Sequence, residues 1–551
     1  MNQLELPAHK EHKVEFTLGR TLLWLLIAGL FTTMQIQQSL RGGRLMSWFL
    51  FDDDSIYYVD ALRRLMVFHG GGPDKLFLDF IQNGMHAPGG TLPALLGFGL
   101  FGPYDWAPSA ARGLVIFGLI VFVAEYLCRG LPLIWKLCVV TLALTWRIIG
   151  ATVTEGRPDL TMALLAAMGI MLITESNWLG SRWQKQVFTG VIWGLVLLWK
   201  PSASIVTVFL FIFALGIASF YEWFKDKGLF QNIIPVNLRC LGATVAVAFI
   251  HYVINWQGIL GYINMVLFGK FSREFHQNLS FLGHGLYYLS GAAGRWLIGY
   301  HWLVLFVLIS TLALGHFWYQ NRQDFWLNFP VVALIMFLIT WLSVSIPKTK
   351  TPHIGAVFPA LIFFVALYLV VYLIRYYQLA SNRKKLIFYG GMSLLTAVAI
   401  GQMKWPAARY DVASAQKVYQ ITQEIAVDLA QQVKPNELIV ELSYWYPSVA
   451  NYHILKTGID PQLQGVTFSH QDLANAVKLF NQADYIFFDT GYVDSVERDL
   501  NNGKITEYEY NTVQNLIRKL DSPKYQLLHE YPNPYPLEQG RKLFLYQRIK
   551  S

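Results

Sequence analysis

Apolar residues run in long stretches through the first 403 positions and in short, broken ones afterwards. A hydrocarbon core of about 30 Å needs roughly 17–25 apolar residues per helix. Segments approaching that length recur at 21–38, 112–128, 134–153, 159–174, 187–199, 202–221, 240–256, 297–316, 329–346, 354–374 and 386–403. They predict a polytopic α-helical membrane protein with about eleven transmembrane helices. An odd number of crossings puts the termini on opposite sides. The first segment follows a charged stretch with no small-residue cleavage site after it, so it is expected to be a retained helix.

Two of the intervening loops are long. The first, 39–111, holds amphipathic stretches at 55–68 and 74–82. In the second stretch Leu76, Phe77, Phe80 and Ile81 lie opposite Asp74, Lys75 and Asp79, the pattern of a helix in the interface plane. The loop 257–296 sets Phe268, Phe271 and Phe275 against Lys270, Arg273, Glu274 and His276 in the same way. Past Lys404 the period shortens. Glu437–Leu442, Tyr485–Phe488, Tyr525–Glu530 and Leu543–Gln547 read as strands, with helical patterns over Asp472–Asn481 and 492–520. The expected organisation is a membrane domain over 1–403 and a small soluble α/β domain over 404–551.

Composition sharpens this. The chain has 551 residues, 54% apolar and only 14% charged, with a net charge of +9. Soluble proteins carry about 25% charged residues, so a disordered chain and an ordinary soluble enzyme are both excluded. From Lys404 onward there are 15 Lys and Arg against 17 Asp and Glu, so the basic excess belongs to the membrane part. Basic loops beside apolar spans suit anionic lipid or a phosphate ligand, and no nucleic-acid motif is present. Lys10, Lys13, Arg20, Arg129, Arg182, Lys185, Arg239 and Lys384 fall on one set of loops, which is assigned to the cytoplasm. The N-terminus is then cytoplasmic and the C-terminal domain outside, with a bacterial inner membrane as the default setting. Cys128, Cys138 and Cys240 lie in or beside apolar runs and make neither a disulfide framework nor a zinc site.

Candidate chemistry gathers on the outer loops. Asp52, Asp53 and Asp54 are adjacent just after the first span. Such a triplet is either a solvated loop, a general base held at an apolar boundary, or a ligand set for a divalent metal. Glu155, Arg157 and Asp159 share a five-residue loop with Pro158 between two apolar segments. Charges there are costly unless paired with each other or used. His86 lies in a Met-His-Ala-Pro-Gly-Gly turn, and Lys200 precedes Pro201 at the outer end of a span. Lys348, Lys350 and His353 sit in a compact loop bracketed by Pro347 and Pro352, a cationic site for lipid headgroups or for one phosphate. Glu125 and Arg147 fall within spans and are expected to be structural polar groups.

The order of these elements resembles the GT-C glycosyltransferases, in the branch with the protein O-mannosyltransferases and the lipid A aminoarabinose transferase. An acidic pair opens a long first outer loop. Tyr57, Tyr58, Arg63 and Arg64 follow, then a His-x-Pro segment, Glu-x-Arg-Pro-Asp, Lys-Pro and Lys-x-Lys. The similarity spans roughly 20–375. It implies a helical membrane bundle, a C-terminal soluble domain and a polyprenyl-phosphate sugar donor. By this resemblance Asp53 stands at the catalytic Asp and Asp54 at the acid after it, with Asp52 extra. Glu155 and Asp159 match the second acidic loop, and Lys348 and Lys350 the cations near the carrier phosphate. His86 matches the His position, although Ala87-Pro88-Gly89 departs from the usual Pro-Pro-Leu.

The implied reaction is inverting transfer of a sugar from a polyprenyl-phosphate carrier to an acceptor hydroxyl on a lipid, glycan or protein. Asp53 is the expected base, with Asp54, Glu155 or His86 orienting the acceptor and Asp52, Arg157 and Asp159 positioning the substrates. Lys200, Lys348, Lys350 and His353 are expected near the carrier phosphate. No cofactor is required, and a divalent metal at the acidic cluster stays open. The rival readings are a flippase for lipid-linked saccharide, which predicts mid-membrane ionisable groups and repeat symmetry, a glycan ligase or polymerase, and a noncatalytic scaffold.

Overall fold

A computed structural model describes residues 17–41, 53–82, 88–174, 177–267, 276–320, 331–378, 382–401, 412–434, 437–442, 447–460, 462–465, 473–501, 505–532 and 542–549. Each of the eleven predicted apolar segments is helical over most of its described residues. Among the described residues five helices are long and apolar enough to cross a membrane: Leu18–Arg41, Ala107–Leu127, Pro201–Lys225, Lys227–Asn264 and Val357–Gln378. The segment predicted at 134–153 is broken. Its halves, Leu133–Leu144 and Arg147–Thr154, meet at 67° and would make a sixth span together. The chain is therefore an integral membrane protein built on a helical bundle.

Pro158–Thr174 is apolar on all sides and almost wholly buried, which marks it as a central helix. Val357–Gln378 packs against it and is largely buried too. The peripheral helices leave Leu22, Leu26, Leu238, Phe249 and Leu312 exposed, as a lipid-facing surface requires.

The first long loop holds two helices where the sequence pattern suggested two amphipathic stretches. We label Leu18–Arg41 α1, Asp53–Gln82 α2 and Pro88–Phe101 α3. α2 covers both predicted stretches and bends between them. Gly72 has φ 76°, a left-handed conformation that suits glycine, and Pro73 restarts the helix. Arg64 ties the halves together by donating to Asp60 (2.8 Å) and Asp79 (2.7 Å). α3 was not anticipated. Its Pro88, Gly89, Gly90 and Pro93 read as turn chemistry in isolation, yet here glycine serves close packing. In the other long loop, helix Ile233–Leu267 runs on past its predicted end at 256. The amphipathic pattern predicted around Phe268, Phe271 and Phe275 lies outside the described residues.

The C-terminal residues form a five-stranded sheet of order β2-β1-β3-β5-β4. The strands are Leu438–Leu442 (β1), Gln462–Gly465 (β2), Tyr485–Asp489 (β3), Tyr525–Pro532 (β4) and Lys542–Arg548 (β5). β1 pairs with β2 and β3 in parallel, and β5 pairs antiparallel with β3 and β4. Alternation along β1 and β3 sends Ile439 and Phe487 to a core with helix Val412–Gln432, and Val440 and Ile486 to one with Leu473–Gln482. Strand β2 and the helices Val412–Gln432 and Pro447–Leu455 were not predicted.

Within the bundle, Glu125 lies on a π-turn, Phe122–Leu127. Its carboxylate accepts from Lys136 Nζ (2.5 Å) and Trp24 Nε1 (2.9 Å), with all three residues buried. This is the structural polar pair expected of Glu125. Lys136→Met, which strands the carboxylate, is predicted to destabilise the protein by about 3–5 kcal/mol. Combining it with Glu125→Leu should recover most of that loss, read as denaturation midpoints in detergent.

Candidate active site

The acidic junction is built by a helix that stops and restarts. Helix Arg147–Thr154 ends as Glu155 turns extended, and Pro158 opens the next helix with Asp159 in its first turn. Proline has no N–H to lose at that position, and a carboxylate suits the positive end of the helix. Glu155 and Asp159 are both buried.

Two cationic elements close on this junction. His353 bridges it: Arg157 Nη1 lies 2.9 Å from His353 Nδ1, and His353 Nε2 lies 3.0 Å from Glu155 Oε2. A guanidinium has only donors, so Nδ1 accepts, and Nε2 carries the proton donated to Glu155. The relay Arg157–His353–Glu155 thus joins the loops around 156 and 352. Beside it, Lys200 Nζ donates to Asp159 Oδ1 at 2.6 Å. The Arg157 guanidinium also bears on Asp159.

The two lysines of the 347–353 loop have different settings. Lys350 is buried and donates to the carbonyls of Val344 (2.5 Å) and Ser345 (2.9 Å), at the end of helix Val331–Ser345. It lies 5.5 Å from the Tyr288 ring, and Tyr288 in turn donates to the Thr351 carbonyl (3.0 Å). Burial pushes the Lys350 ammonium down to about 8. Lys348 is exposed, and its carbonyl accepts from the Gln277 N–H (3.1 Å). Burial, then the charges of Lys350 and Lys348, push the His284 imidazole below its ordinary value. His276 pairs with Thr349 through an isolated antiparallel bridge, which brings the His276 backbone against the Lys348 loop, a grouping the sequence pattern had not singled out as a unit.

The first loop reaches the same place through its backbone and two tyrosines. α2 begins at Asp53, so Asp53 and Asp54 form its first turn; their side chains, Asp52 and His86 lie outside what the structure describes. One turn on, Tyr57 packs on Gly90, where an added Cβ would sit 2.7 Å from its ring. A Cβ on Gly89 would lie 2.4 Å from Trp199, the residue before Lys200. Only glycine permits that approach. Arg112 donates to the Tyr58 hydroxyl (3.3 Å) and to the Val153 carbonyl (3.2 Å), two residues before Glu155. The start of α2, the 155–159 junction, Lys200 and the 348–353 loop are thus linked residue by residue.

An apolar cavity of about 520 Å³ lies beneath. It runs from Trp199 and Thr161 past Leu164 and Ile192 to Glu125 and Tyr126. Among the described residues no group of three or more His, Cys, Asp or Glu is arranged to hold a metal ion.

This fold, a kinked first-loop helix over a membrane bundle with an α/β unit after the last span, is shared with solved structures. Its solved counterparts include ArnT from Cupriavidus metallidurans bound to undecaprenyl phosphate, with TM-score 0.54, 12% identity, and coverage of 96% of this chain and 98% of that one. The apo state of the same protein gives 0.53 and 13% with the same coverage. The Archaeoglobus fulgidus oligosaccharyltransferase, in complex with Zn and sulfate, aligns at 0.38 and 13% over 95% and 73% of the two chains, too distant to bear on the fold. No family model matches the chain, and no curated protein matches it in sequence.

Lys350 yields a pH test. Its folded value of about 8 lies below the ordinary 10.5, so between those values the unfolded chain binds the extra proton. Stability is predicted to rise as pH climbs through that window, and Lys350→Met to flatten the rise, measured as melting midpoints.

Proposed function

We propose that this chain is an inverting glycosyltransferase of the outer membrane face, moving a sugar from a polyprenyl-phosphate carrier to an acceptor hydroxyl. The supporting observation is the meeting of four sequence-distant elements, acidic and cationic, above an apolar cavity. A lipid carrier has the matching form, with an anionic head at the boundary and an apolar tail below. The bound undecaprenyl phosphate of the similarly folded ArnT supports the same carrier class.

The chemistry follows from charge. The acceptor oxygen bonds to the anomeric carbon from the side opposite the phosphate. The carbon–oxygen bond to the phosphate breaks, and its electron pair leaves on the phosphate. That leaving group is already a stable anion, so cations rather than a general acid are needed. Lys200, Lys348 and Arg157 are the candidates; Lys350 and His353 shape the loop that carries Lys348. Asp53 takes the acceptor proton, Asp54 and Glu155 orient the acceptor, and His86 and Asp52 are assigned to substrate positioning from the sequence alone. Glu155 is held for this by His353, and Asp159 holds the Lys200 ammonium. The scheme requires no metal at the acidic cluster.

In this reading all eleven apolar segments cross the membrane, the N-terminus is cytoplasmic, and residues 404–551 lie outside. A bacterial inner membrane is the setting proposed.

The test is mass spectrometry of envelope lipids and glycans from cells with and without the chain. A species heavier by one sugar residue is expected only in its presence. Asp53→Asn should lower its formation by about 10²–10⁴-fold with normal protein levels; full activity would remove Asp53 as the base. Lys348→Ala with Lys200→Gln should raise the donor KM, and an unchanged KM and rate would remove both from phosphate binding.

A further inference from the structure

The C-terminal α/β unit does more than follow the last span. A single carboxylate of the first outer loop, Asp105, lies between α3 and helix Ala107–Leu127. It accepts from three side chains of the C-terminal unit: Tyr452 Oη (2.5 Å), Tyr419 Oη (2.7 Å) and Lys456 Nζ (2.9 Å). Burial pushes the Asp105 carboxyl up, but the Lys456 ammonium, His453 and the Tyr452 hydroxyl outweigh it and leave it below the usual range. The carboxylate is thus an anion that fixes three donors. A second tie, Arg63–Asp460 at 3.0 Å, joins α2 to the same unit.

Tyr452 is fully buried, and its ring lies 5.7 Å from that of Tyr58 and 6.2 Å from that of Phe98. Tyr58 is one turn from Asp54, and its hydroxyl is the acceptor for Arg112. Arg112 holds the Val153 carbonyl at the entrance to Glu155. One contiguous chain of contacts therefore runs Asp105–Tyr452–Tyr58–Arg112–Val153. Its middle members brace both acidic elements of the candidate site.

We propose that the C-terminal unit is a component of the transfer site: Asp105 and Tyr452 are positioning residues that hold the first turn of α2 and the 153–155 backbone in register. The proposal rests on the transferase reading for its catalytic consequence, while its mechanical part stands alone.

The experiment uses the full chain in lipid nanodiscs, with Tyr452→Phe, Asp105→Asn and their combination. Tyr452→Phe removes only the hydroxyl and keeps the ring on Tyr58. Hydrogen exchange followed by mass spectrometry is expected to speed up several-fold over 53–60 and 150–157, while Tyr485–Asp489 stays protected as in the unaltered protein. Unchanged exchange in both segments would overturn the proposal. Sugar transfer should fall about 10–100-fold in kcat with donor KM and undecaprenyl phosphate binding unchanged. The double variant should lose no more than the worse single one, because both act through one contact. Faster exchange with an undiminished kcat would refute the positioning role. A chain that binds undecaprenyl phosphate but makes no transferred product would sink the transferase reading, and the exchange result would still decide the coupling.

Discussion

The structure depends on one constraint: a charge at the edge of an apolar bundle persists only if an opposite charge or a set of hydrogen bonds meets it. Lys200 and Asp159 satisfy one another, Glu155 is met through His353 by Arg157, and Glu125 is met by Lys136. Removing one partner of such a pair costs about 3–5 kcal/mol, because the other is left buried and unmatched. Glu125 and Lys136 are 11 positions apart, but Lys200–Asp159 joins segments 41 apart and His353–Glu155 segments 198 apart. The pairing rule therefore also determines which loops touch.

The same constraint explains why stability and proposed chemistry share residues. Lys350 caps the end of a helix, and His353 bridges two loops. These interactions hold the 347–353 loop in a defined shape, which leaves Lys348 exposed at the corner beside His284. A cation that is to stabilise charge on a leaving phosphate is most effective when already in place, since no reorganisation is then needed at the moment of reaction. On the other flank, Asp105 fixes the α/β unit against the first loop. Aromatic packing of Tyr452 on Tyr58 then carries that rigidity to the start of α2.

Much of the helical content was legible in the chain. Every predicted apolar segment falls on helix, one of them broken in two, and four strands fall where short β-branched and aromatic runs placed them. α3 was hidden because prolines and glycines signal turns when packing partners are unknown. Gly89 and Gly90 are small so that Trp199 and Tyr57 can approach, which no local pattern reveals. The broken segment 133–154 was hidden for a similar reason: its 67° bend leaves the hydropathy unaltered. Among the site residues, Glu155, Arg157, Asp159, Lys200 and His353 were singled out and do come together. Asp105 carried no signal, because its partners lie more than 300 positions away.

By itself the sequence determined that the chain is a helical membrane bundle followed by an α/β tail, because hydropathy and its period are local properties set by side-chain transfer and helix geometry. It also determined where costly charges stand, since a charge beside an apolar run is visible in one dimension. Which charge answers which, that Lys350 faces helix carbonyls while Lys348 faces outward, and that the tail braces the first loop were decided only by the tertiary structure. Those outcomes depend on distances between remote segments, and a folded chain settles them by burying each charge against whichever partner packing brings within about 3 Å.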